Sequence, residues 1–121
     1  MKLRIVGIEE PGVVNRERLH LFATESAELQ YFLVLATYSP ATGTIASGSV
    51  TAFWFPPIRV ALNDHVFLFT GRGTMSTQKA ESGSTLYSFY WGMEQTIWDM
   101  PTRGASLVEA QGWETRFLVP S

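Results

Sequence analysis

The residues best suited to proton or metal chemistry are few. The chain carries two histidines, His20 and His65, and no cysteine among its 121 residues. With Asp64 and Asp99 the histidines supply the ligand types of a hard metal site, yet neither spacing matches a known ligand pattern. Surface histidines are the expectation, with no metal ion and no cofactor. The lack of cysteine excludes a disulfide scaffold, a thiolate metal site and a Cys nucleophile. Serines are plentiful, but no Gly-x-Ser-x-Gly turn presents one as a nucleophile. Gly71-Arg72-Gly73-Thr74 superficially suggests a phosphate cradle. It lacks the Gly-Lys-Ser/Thr ending and opens no helix, so its amides are not aimed at an anion. Glu9 and Glu10 flank Pro11 in a strand exit, whereas a glycosidase needs two acids facing each other across a cleft. No catalytic residue is assigned, and an enzyme is disfavoured.

The elements that must position these residues are strands. Val, Ile, Thr, Phe, Tyr and Trp make up about a third of the chain. Short alternating runs separated by turn residues are the pattern of a sandwich or barrel. Leu3 to Ile8 reads as the first strand, stopped by Glu10-Pro11-Gly12. Leu19, Leu21 and Ala23 alternate with His20, Phe22 and Thr24 in the second. Leu29 to Thr37 is a nearly continuous apolar run, and Thr44 to Phe55 holds one or two strands broken near Gly48. Arg59 to Leu62 and Val66 to Thr70 flank the Asn63-Asp64 turn. Leu86 to Trp91, Thr96 to Trp98, Ala105 to Glu109 and Trp113 to Val119 complete the strands, the last two joined by a turn at Ala110-Gln111-Gly112. Gly71 to Thr85, polar and rich in Gly, Ser and Thr, is expected to be a mobile loop. A helix opening at Glu25 competes weakly, because Tyr31 to Leu35 lacks a polar face.

A length of 121 residues fits one domain, residues 1–121, with one modest core. The 45% hydrophobic and 17% charged composition excludes disorder. The net charge of −2 and the scattered basic residues give no phosphate-tracking run, so a nucleic-acid partner is not expected but stays open. Glu9-Glu10-Pro11 interrupts the N-terminal segment before any long apolar stretch, so no signal peptide is read. No 18 apolar residues run together, so no membrane span is expected and the default location is cytoplasmic.

From Phe53-Trp54-Phe55-Pro56-Pro57 onward the order of motifs becomes recognisable. Asn15-Arg16-Glu17-Arg18-Leu19-His20-Leu21 looks like an Asn-x-Glu step followed by alternating aliphatics. Leu62-Asn63-Asp64 leads through Val66 to Phe69 into Thr70-Gly71, and Tyr90-Trp91-Gly92, Trp98-Asp99, Leu107 and Gly112 follow. In this order the chain resembles the lamin tail domain, and the resemblance covers nearly its whole length. It departs from the family pattern at Tyr31, near Ala23, at Asn63 and at Asp99. The resemblance implies an all-β fold, an immunoglobulin-like two-sheet antiparallel β-sandwich. It also implies a non-catalytic interaction or structural module, a stand-alone adaptor or assembly subunit that binds protein partners or its own copies.

Leu19, Leu21, Phe32, Val34, Phe55, Leu68, Trp91, Trp98 and Leu107 are the expected core. If Val66 and Leu68 point in, Phe67 and Phe69 point out, and Trp54 likewise lies opposite Phe53 and Phe55. Trp54, Phe67 and Phe69 are therefore the candidate partner interface. The alternative function is a small-molecule or glycan-binding β domain that uses these exposed aromatics.

Overall fold

Alternation of apolar and polar side chains produces strands over nearly half of the described residues. The computed structural model describes residues 1–39 and 51–118. Its first strands are β1 (Leu3–Glu9), β2 (Arg18–Ala23) and the short β3 (Ala27–Glu28). A 3₁₀ turn at Leu29–Tyr31 leads into β4 (Phe32–Tyr38), followed by β5 (Ala52–Trp54) and β6 (Arg59–Val60). Then come β7 (His65–Phe69), β8 (Ser76–Lys79), β9 (Thr85–Tyr90) and β10 (Arg103–Glu109). They pair as a five-stranded sheet in the order β1-β2-β7-β9-β8, a three-stranded sheet β10-β4-β5, and a small ribbon β3-β6.

The two larger sheets pack face to face as a β-sandwich. Phe89 of β9 meets Phe55, just beyond β5, at 5.2 Å between ring centroids, and Phe53 of β5 at 6.5 Å. Leu19, Leu21, Val66 and Leu68 line one inner face; Phe32 and Val34 line the other. Trp98 closes the end of the core, its indole N–H donating to the Gly104 carbonyl at 2.9 Å. Seven of the nine expected core residues are buried, while Trp91 and Leu107 are only partly so. Leu107 belongs to an edge strand and Trp91 lies just past the end of β9, so each has cover on fewer sides.

Several expectations need correction. The pairing is not wholly antiparallel, because β9 runs parallel to β7. The chain reverses twice between them, and β8 returns along the outer edge of β9. Gly71 to Thr85 is thus not simply a loop: Ser76–Lys79 is a polar edge strand whose backbone pairs with β9 although its side chains are exposed. Thr96 to Trp98 is not a strand, since the amides of Ile97 and Trp98 donate to the Glu17 carboxylate instead of a ladder. The 113–118 segment is unpaired. Ala110 N–H donates to Tyr31 C=O, after which Trp113 meets the rings of Tyr31 and Trp54 at 5.3 and 5.1 Å. Those ring contacts take the chain across the sheet instead of back along β10. Leu29 opens a 3₁₀ turn and not a strand, and the competing helix is absent. The expected strand between Thr44 and Val50, with its break near Gly48, lies outside the described residues.

Candidate functional site

The strand register decides which outward side chains stand side by side, because neighbours on a strand face opposite ways. On the five-stranded sheet one outward row runs Arg4, Phe22, His65, Leu86. The next runs Gly7, His20, Phe67, Ser88, and the third Glu9, Arg18, Phe69, Tyr90. Phe67 and Phe69 therefore do share an outer face, as expected. The rings there satisfy one another: Phe69 stacks on Tyr90 at 5.1 Å, Phe67 on His20 at 4.5 Å, and the Arg18 guanidinium lies 5.6 Å from the Phe69 centroid. Arg18 also pairs with Glu9 at 3.0 Å and with Glu10 at 2.9 Å. The Arg18 hydrogen bond holds the Glu10 carboxyl below its ordinary value.

The two histidines lie within this face and meet. His20 Nδ1 is 2.8 Å from Glu9 Oε2, and His20 Nε2 is 2.7 Å from His65 Nδ1. A carboxylate only accepts, so His20 Nδ1 carries a proton, and in the neutral ring Nε2 presents a lone pair. His65 Nδ1–H then donates to that lone pair. Burial holds His20 below the usual histidine range, with the Glu9 hydrogen bond pulling the other way. This neutral, fixed tautomer is the most chemically defined arrangement on the surface.

The three-stranded sheet presents a different outer face. Its rows are Val108, Leu33, Trp54 and then Ser106, Leu35, Ala52, followed by Gly104 beside Thr37. None of these eight residues is charged. Trp54 is 47% exposed, though its indole N–H donates to the Gln30 carbonyl at 2.7 Å and Trp113 leans on its edge. Trp54 and Phe67 thus belong to different sheets and do not form one patch.

The other candidates have structural work. Asp64 is buried, its Oδ2 accepting from Ala61 N–H and its Oδ1 from Thr85 N–H, so its carboxylate ties down backbone. Asn63 before it adopts a φ of 73°, which asparagine tolerates. Asp99 is exposed beside Gly12. Arg72 pairs with Glu94 at 2.9 Å, and Gly73 lies so close to Tyr90 that an added Cβ would fall 2.5 Å from the ring. Glu17, wholly buried, accepts from the amides of Gly12, Ile97 and Trp98.

Sequence reasoning did not foresee the histidine contact or the burial of Glu17. Parity of alternation places both histidines outward, but the adjacency of β2 and β7 is a tertiary fact. Among the described residues no helix is long and apolar enough to cross a membrane. No family model matches the chain, and neither a curated protein nor a solved structure is found to match it.

Proposed function

We propose that this protein is a non-catalytic interaction module of lamin-tail type that assembles with a second copy of itself through the outer face of its three-stranded sheet. One observation carries the reading: Leu33, Leu35, Trp54 and Val108 stand together on a face without a charged side chain. Interface centres are depleted of charge and anchored by large rings, with Trp foremost. A second copy is the favoured occupant because a charge-free face meets itself across a twofold axis without repulsion or an unpaired ion. The family part of the proposal draws on the motif order, and on Glu17 and Asp64, which tie loops by accepting backbone amides. Such loop-closing duties suit a scaffold more than a reaction centre.

Light scattering from low-micromolar to submillimolar concentration tests this. A dimer is expected, weakened at least ~10-fold by Trp54→Ser and by Val108→Ser, with circular dichroism unchanged. A strict monomer over that range overturns the proposal. The second reading, a small-molecule or glycan site, draws on an open depression of about 740 Å³ whose lining includes Phe22, Arg59, His65, Lys79 and Tyr87. Saturable binding on a glycan array, lost in Phe22→Ala, would favour it.

A further inference from the structure

The only two histidines of the chain meet nitrogen to nitrogen across neighbouring strands. We infer that His20 Nε2 and His65 Nδ1 bind a divalent transition-metal ion of the zinc type between them, with Glu9 as the outer partner that orients His20.

Three features carry this. The first is geometry: the two nitrogens face each other at 2.7 Å from neighbouring strands. Zinc–nitrogen bonds of about 2.0–2.1 Å at a tetrahedral angle place two ligand nitrogens roughly 3.3 Å apart, so an ion fits once the rings part by about 0.6 Å and each turns by roughly 35° to aim its lone pair at it. The second is the carboxylate at 2.8 Å from His20 Nδ1. A metal-binding histidine commonly donates its other ring N–H to such a group, which fixes the tautomer and makes the free nitrogen a better ligand. The third is support: Phe67 stacks against both imidazoles, at 4.5 and 6.4 Å, and Phe22 meets His65 edge-on at 5.2 Å. These neighbours keep both imidazoles on one face, side by side.

The chemistry selects the class of ion. Two neutral imidazoles suit zinc, copper or nickel and disfavour magnesium and calcium, which prefer oxygen. Among the described residues no third His, Asp or Glu completes a cluster, so two protein ligands are offered and water fills the remaining positions. The protons balance simply. His20 keeps its Nδ1 proton on Glu9, while the proton between the two rings moves to His65 Nε2 as the ion takes its place.

Titration of the whole chain with zinc chloride, followed by calorimetry, tests the inference. One ion per chain is expected, with affinity at least ~10-fold weaker in His20→Asn and His65→Asn and about 10-fold weaker in Glu9→Gln. Long-range proton–nitrogen spectra of the unaltered chain give a readout independent of variant folding. The resonances of His20 Nε2 and His65 Nδ1 should shift together, while His20 Nδ1 and His65 Nε2 carry the protons. Failure to saturate at millimolar zinc overturns the inference. So does binding that persists in the doubly substituted chain, or shifts confined to His65 Nε2.

Discussion

The two outer faces of the sandwich are made by the same alternation of side chains, yet they have different chemistry. On the five-stranded sheet the central charged and ring-bearing groups find neighbours: Arg18 with Glu9, Glu10 and Phe69, His20 with Glu9, His65 and Phe67. On the three-stranded sheet Thr37 and Ser106 satisfy each other at 2.6 Å, and the remainder is aliphatic or indole. A face whose polar groups are already paired gains little from a partner. One that exposes Val108 and Trp54, with Leu33 and Leu35 half-buried between them and no charge, gains by removing apolar area from water. The aromatic count alone therefore misdirects, since more rings lie on the five-stranded sheet.

The largest effect is expected where the faces share a foundation. Trp98→Ala should cost on the order of 3–5 kcal/mol through lost transfer energy and the cavity left behind. Unfolding followed at the histidines and at Trp54 should then shift by the same amount; separate transitions would mean that the faces are not one cooperative unit. Next comes Glu17→Ala, which strips the acceptor from three amides and should cost roughly 3 kcal/mol, read by denaturant melting. A cost below about 1 kcal/mol would show that water replaces the carboxylate freely.

Smaller effects separate the faces. Phe67→Ser should lower stability by about 1–2 kcal/mol and leave self-association unchanged, whereas Val108→Ser should do the reverse. Equal loss of association in both would erase the contrast. The smallest effect is a pH slope. Because His20 is held low chiefly by burial, the folded chain takes up that proton at lower pH than the unfolded chain. Its contribution is present above the unfolded histidine value of about 6.5 and declines as pH falls through it toward the lower folded value. His20→Asn should flatten melting temperature against pH in that window, and an unchanged slope would assign it elsewhere.

Much of this was legible in the chain itself. Alternation at Leu19-His20-Leu21 and Val66-Phe67-Leu68 is enough to place inner and outer residues, because strand parity is local. The segments misread as strands, 96–98 and 113–118, have strand-like composition but lose their ladder partners to a buried carboxylate and to two exposed rings. Ser76–Lys79 has the opposite character, loop-like in composition yet a strand, because its pairing depends on the backbone of β9 and leaves no apolar signature. The histidine contact joins residues 45 positions apart through strand adjacency, which no local pattern encodes.

The most direct test of which face docks is the methyl spectrum of the protein as a function of concentration. Leu33, Leu35 and Val108 report the three-stranded sheet, and Leu86 reports the five-stranded one. On dilution from submillimolar to low-micromolar protein the first three should move together along a single binding curve, with Leu86 fixed. Movement of Leu86 with the other three stationary, or no movement at all, would contradict assembly through the charge-free face.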